Sequence, residues 1–163
     1  MDELFAPPGN EWRPVSVQLR RMRRTVLAVC CVLLAVLAVV AWWTFWRALG
    51  PLLVLLAVLV LVLALGWHAI GRNVARWGYA ERDEDLYIKH GYLFRELVAV
   101  PYGRMQFVDI TSGPVEQLYG IASVHLHTAS PRTDAKIPGL PKEEAARLRD
   151  RLTQLGEAQA AGL

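Results

Sequence analysis

Residues 25–70 read TVLAVC CVLLAVLAVV AWWTFWRALG PLLVLLAVLV LVLALGWHAI, and this stretch decides the fold. Arg47 is its single Asp, Glu, Lys or Arg. Residues 25–46 make a helix of about 33 Å at 1.5 Å per residue, enough to cross a hydrocarbon core of about 30 Å. Residues 48–70 are equally free of charge. One straight helix through both would be about twice the bilayer thickness, so the chain must reverse. Arg47 and Gly50-Pro51 mark the place, because Gly tolerates unusual backbone angles and Pro disfavours helical geometry in the residue before it. The reading is a transmembrane helical hairpin over residues 20–72, with its first helix at 25–46 and its second at 48–70.

The flanks of the hairpin give it a direction. Trp42, Trp43 and Trp46 cluster with Phe45 at the reversal, and Trp favours the membrane–water interface. Arg20, Arg21, Arg23 and Arg24 precede the first helix and Arg72 follows the second. With Arg47 alone at the turn, the positive-inside rule places both termini in the cytoplasm, in a multi-pass plasma (inner) membrane protein. A cleaved signal peptide does not fit, since the apolar run is long and bulky Trp and Phe stand where small residues would be cleaved. Small residues recur in the first helix at Ala28, Cys31, Ala35 and Ala38, and in the second at Ala57 and Ala64. Such stripes let helices approach closely in lipid, within the hairpin or with a neighbouring copy. Cys30 and Cys31 are adjacent inside the span, where they read as small packing residues. His68, near the cytoplasmic end, reads as interfacial, and a span with so few ionisable groups does not read as a transport path.

Outside the hairpin the composition is ordinary. The chain is 54% hydrophobic, above the usual range of roughly 45–50%, and the excess lies in residues 25–70. The net charge is +3. From Gly71 onward twelve Lys and Arg face twelve Asp and Glu, so the basic excess belongs to the membrane flank. A nucleic-acid-binding domain would carry that excess on the folded domain, and this excludes one here.

After Gly71 the pattern becomes short alternating segments. Residues 85–90 set Leu86 and Ile88 against Tyr87 and Lys89, the period of a strand. Further strands are expected at 77–82, 95–100, 106–110, 121–128 and 135–137. In 121–128, Ala122, Val124 and Leu126 oppose Ser123, His125 and His127. The intervening Asp83-Glu84-Asp85, His90-Gly91, Pro101-Tyr102-Gly103 and Ser112-Gly113-Pro114 carry turn chemistry, which favours an antiparallel sheet. Residues 141–155 place Ala145, Leu148, Leu152 and Leu155 at helical spacing, with Pro141 opening the helix and Gly156 ending it. The sequence therefore divides into a flexible cytoplasmic N-terminus (1–19), the hairpin (20–72), a folded domain (73–156) and a disordered tail (157–163).

Four segments of that domain resemble one family. Asp85-Leu86-Tyr87-Ile88-Lys89-His90-Gly91 is similar to its "L-x-I-x-x-G" strand and turn, and Val100-Pro101-Tyr102-Gly103-Arg104-Met105-Gln106 to its "P-x-x-R-I-Q" segment. Leu118-Tyr119-Gly120-Ile121-Ala122-Ser123-Val124 resembles "F-G-L-x-x-V", with Tyr for Phe, and Ile137-Pro138-Gly139-Leu140 resembles the entry to the last helix. The family is that of the YdbS-like bacterial membrane proteins with a pleckstrin-homology-like (PH-like) domain. The resemblance runs from about Arg20 to Leu155. It implies an α+β membrane protein, in which a two-helix transmembrane hairpin precedes a strongly bent antiparallel β-sheet with a C-terminal α-helix. A fold does not fix a function. Classical PH domains hold inositol phospholipids in basic loops, whereas the loop at 83–85 here is acidic.

Candidate chemistry is sparse. His125 and His127 alternate on one strand face and, with Asp109 or His90, offer imidazoles for a metal-dependent hydrolase. Without a helical His-Glu motif or a Cys pair, they read as solvent-facing strand residues. Asp109, Glu116 and Asp134 read likewise as separate surface carboxylates. No phosphate loop or nucleophile elbow is present. Arg104 stands after a turn and before a strand, placed to contact an acidic partner or lipid headgroup, or to brace the sheet rim. The sequence thus predicts no catalytic residue, metal or cofactor. Its partners are the lipid bilayer and another membrane protein or a second copy. It describes a membrane-tethered interaction module, with headgroup sensing as the alternative.

Overall fold

The computed structural model describes residues 12–46, 49–91, 95–129 and 134–160. The chain enters through a short strand β1 (Arg13–Pro14) and passes into helix α1 (Val17–Ala41). Ser16 caps α1, its Oγ accepting from the Gln18 N–H at 3.1 Å. A π-helical turn (Trp42–Trp46) prolongs α1, and α2 (Leu49–Val74) runs back. Gly50 and Pro51 lie in the first turn of α2, so the reversal precedes them; Arg47 and Ala48 lie outside the described residues. Pro is tolerated there because the first helical turn has no intrahelical acceptor for its missing N–H.

The two helices pack along a defined seam. The least exposed positions of α1 in the span include Ala28, Cys31, Ala35 and Ala38, the stripe of small residues. The least exposed positions of α2 in the span are Leu52, Leu56, Leu59, Leu63, Gly66 and Ile70. At Gly66 a Cβ would stand 2.7 Å from Leu27 Cδ2, so the glycine admits that side chain. Ala57 and Ala64 are exposed, which corrects the expectation that they meet the first stripe. The outer faces are apolar and open: Leu37, Leu53 and Val54 are each more than 60% exposed. Both helices are long and apolar enough to cross a membrane.

The domain has two antiparallel sheets. One is β1-β2-β3-β4, with β2 at Gly78–Glu81, β3 at Asp85–His90 and β4 at Glu96–Pro101. The other is β5-β6-β7, with β5 at Met105–Thr111, β6 at Ile121–Thr128 and β7 at Ala135–Pro141. A 3₁₀ turn (Tyr102–Arg104) joins the sheets, and helix α3 (Pro114–Leu118) fills the next connection. Helix α4 (Lys142–Ala160) closes the open end against β5, β6, β7 and the 3₁₀ turn. The antiparallel strands and the terminal helix are those the family resemblance implies, with the strands divided between two sheets in place of one bent sheet.

Alternation sets the core. Leu86 and Ile88 of β3, Val124 and Leu126 of β6, and Ala145, Leu148 and Leu152 of α4 are all at most 1% exposed. Ser123, expected to face solvent, is also buried and donates to Glu116 Oε1 at 3.0 Å. A polar clamp fixes α4 to β2. Glu81 accepts from Arg147 at 2.6 Å and Arg151 at 3.1 Å, and Glu144 accepts from Tyr79 Oη at 2.6 Å and Arg147 at 2.7 Å.

Three boundaries differ from the sequence reading. Residues 12–19 are part of the fold: Arg13 and Pro14 pair with Tyr79 and Gly78, and Leu19 is 1% exposed. Pro141 ends β7 and does not open α4. Helix α4 continues through Gly156 to Ala160, where Gln159 meets Gly103 of the 3₁₀ turn. Residues 157–160 are therefore helical.

Candidate functional site

The hairpin joins the domain through a few contacts that set the height of everything around them. Leu19 sits under Gly139 of β7, and Gly139 O accepts from the Ser16 N–H at 3.0 Å. Arg23 donates to Asn73 Oδ1 at 3.1 Å, tying α1 to α2. Two residues further along α1, Tyr119 Oη donates to Thr25 Oγ1 at 2.8 Å. Thr25 begins the uncharged run, so α3 hangs at the edge of the apolar zone. Its Leu118 is 85% exposed, an apolar tip at the same level.

An open groove of ≈ 690 Å³ runs across that level between α1 and α2. Its rim carries Arg20, Arg24, His68 and Arg72. Its lower wall is Val60, Leu63, Ala64 and Trp67. The helices place these groups by spacing: Arg20 and Arg24 are four apart on one face, as are His68 and Arg72. Arg24 Nη2 donates to the Trp67 carbonyl at 3.2 Å, and its guanidinium carbon lies 4.6 Å from the Trp67 ring centroid. Gly71 makes room for it, since a Cβ there would stand 2.6 Å from Arg24 Nη2. Arg24 Nε is buried with no hydrogen-bond partner among the described residues. Arg72 Nη1 lies 3.4 Å from His68 Nε2. No carboxylate lines the groove among the described residues. The arrangement is a fixed cationic rim over an apolar floor.

The remaining expected site residues are scattered. Arg21 is exposed on α1 outside the groove lining, and its carbonyl accepts from Thr25 Oγ1 at 3.0 Å. Trp42 and Trp43 lie in the π-helical turn with ring centroids 6.3 Å apart, and Trp46 ends that turn. Arg104 is exposed beside the C-terminal end of α4 and is not brought to the groove. It does not brace the rim through any ion pair found among the described residues.

The histidine face does not assemble into a site. His127 Nδ1 lies 3.4 Å from Asp134 and its Nε2 4.0 Å from Asp109, while His125 Nε2 meets Thr111 Oγ1 at 3.1 Å. His90 is on the other sheet, stacked on Trp77 at 4.8 Å. Glu116 is engaged at the start of α3, accepting from the Gly113 N–H at 2.9 Å. No three His, Cys, Asp or Glu side chains among the described residues could hold one metal ion. Sequence reasoning missed His68, Trp67 and Gly71 as parts of one site. The paired four-residue spacings were the available signal, but they became a groove only when the two helices met.

Comparison with known proteins agrees with this architecture. A family model described as "Bacterial PH domain" matches residues 14–156, from β1 to α4. The UPF0699 transmembrane protein YdbS of Bacillus subtilis (strain 168) is 38% identical over 79 residues, 48% of this chain and 48% of that protein. The chain thus aligns with about half the length of that relative. No solved structure matches significantly. With a match that begins ahead of the first membrane helix and ends in the closing helix, the chain is a membrane protein that belongs to the bacterial PH domain family.

Proposed function

We propose that this protein is a non-enzymatic, membrane-anchored interaction module at the cytoplasmic face of the plasma membrane. It assembles laterally with another membrane protein or with a second copy, and both its termini are cytoplasmic. The observation that carries this reading is the shared core. Leu19 of α1 and Val74 of α2 are 1% and 6% exposed and pack in the same cluster as Leu86, Leu126 and Leu148 of the domain. Any contact that moves the helices therefore moves the domain. The outward Ala57 supports a close lateral contact, since small residues let helix backbones approach in lipid. The two histidines with separate partners support the non-enzymatic part.

Crosslinking in native membranes, followed by mass spectrometry, tests the reading. The expected result is crosslinks from the outer face of α2 to one membrane protein or to the same chain. Recovery only as an isolated monomer would overturn it. Headgroup sensing is the second reading. The basic groove favours it at the hairpin, away from the domain loop that carries Arg104.

A further inference from the structure

We infer that the groove between α1 and α2 is a binding site for one anionic phospholipid, with its phosphate on Arg20, Arg24 and Arg72 and an acyl chain along Val60, Leu63 and Ala64. The inference does not depend on whether the chain assembles with a partner.

Four observations carry it. The rim gathers three guanidiniums and one imidazole, and no carboxylate lines it among the described residues. Like charges four apart on a helix repel, so Arg20 and Arg24 gain from an anion between them. Phosphate is the anion that forked guanidinium donors fit best. Second, the rim is built before any ligand arrives. The Trp67 carbonyl and ring hold Arg24, Gly71 leaves it space, and His68 stands against Arg72. Third, the groove is too long for a bare phosphate. From Val60 to Arg72 along α2 is about 18 Å at 1.5 Å per residue, a headgroup and the first part of a chain. Its lower wall is apolar, and the small Ala64 leaves the floor open.

Fourth, the height is right. Thr25 starts the uncharged run of α1, and the Tyr119–Thr25 hydrogen bond holds exposed Leu118 at that level. Arg24 immediately precedes Thr25 and Arg20 lies about 7.5 Å above it at 1.5 Å per residue, in the headgroup layer, where Trp67 also belongs. An ammonium-bearing headgroup would meet three positive charges, so the site selects net-anionic lipid over zwitterionic lipid.

The test is native mass spectrometry of the full chain released from nanodiscs containing equal phosphatidylglycerol and phosphatidylcholine. The wild type is expected to retain phosphatidylglycerol and not phosphatidylcholine. Arg24→Gln with Arg72→Gln should lower retention about tenfold, as expected for losing charge-assisted hydrogen bonds. Arg21→Gln with Arg149→Gln removes the same charge outside the groove and should leave retention unchanged. Ala64→Trp fills the apolar floor without altering charge and should also release the lipid. Equal loss from both arginine pairs would reduce the effect to general attraction and overturn the site. So would wild-type retention in Arg24→Gln/Arg72→Gln or in Ala64→Trp, or equal retention of phosphatidylcholine. Displacement of the lipid by excess inorganic phosphate would assign the rim to free phosphate and overturn the lipid assignment. If the double variant fails to fold, Arg20→Gln and Ala64→Trp decide by the same readout.

Discussion

Gly139 shows how much one residue decides here. Its φ is +69°, and a Cβ would stand 2.5 Å from Leu19 Cβ. Both the backbone and the space exclude a side chain. Gly139→Ala should cost about 1–3 kcal/mol through strain and overpacking. A lowered thermal midpoint in detergent checks this. Gly50→Ala, in the first turn of α2 with no atom within 4 Å of the added Cβ, should leave the midpoint within a degree or two. The sequence marks Gly139 as part of a motif, but the reason for the glycine lies 120 residues away at Leu19.

Glu144 carries a second prediction at this scale. Hydrogen bonds from Arg147 and Tyr79 lower its carboxyl pKa from 4.5 to about 2, against an opposing effect of burial. A pKa depressed on folding contributes stability above the unfolded value and loses it as pH falls through the folded value. The contribution is therefore complete above pH 4.5 and fades between 4.5 and about 2. Thermal melts should show the wild type losing its advantage over Glu144→Gln across that window. A constant difference between the two would contradict the assignment.

At the scale of elements, periodicity is a dependable guide where one face is buried. Ala145, Leu148 and Leu152 lie on one stripe of α4, and all three are fully buried. Leu148→Ala should cost about 2–5 kcal/mol by leaving a cavity between α4 and the sheets. Chemical denaturation in detergent, with the domain's own Tyr and Trp as probes, measures it. Short elements give no such period. Strand β1 is two residues long and is defined only by its pairing to β2. Helix α3 is five residues long, although Pro114 at its start and Glu116 reaching back to the Gly113 N–H are signals readable in the sequence. The end of α4 was misplaced because Gly156 is only a statistical stop, and packing of the 3₁₀ turn on Gln159 outweighs it.

For the whole molecule, the consequence is that hairpin and domain are one cooperative body. Leu19, Val74 and Val15 bury apolar surface that residues 73–163 alone would expose. Lost burial of a large apolar side chain costs about 1.5–3 kcal/mol, and Leu19 and Val15 are both absent from such a fragment. A fragment of residues 73–163 should therefore melt broadly or not fold, whereas residues 12–163 in detergent should melt in one transition. A sharp, stable transition in the fragment would show that the domain is independent of its anchor.

The sequence by itself determined the hairpin, its flanking charge, the antiparallel strands and the closing helix. Those features depend on local composition and on periods of 2 and 3.6, which any window of sequence displays. Only the tertiary structure decided that Val15 and Leu19 belong to the core, that Ala57 faces outward, and that Arg20, Arg24, His68 and Arg72 meet over an apolar floor. Each of these depends on how two elements rotate and slide against each other. That is set by side-chain packing between positions dozens of residues apart, at Leu27 and Gly66 or at Leu19 and Gly139.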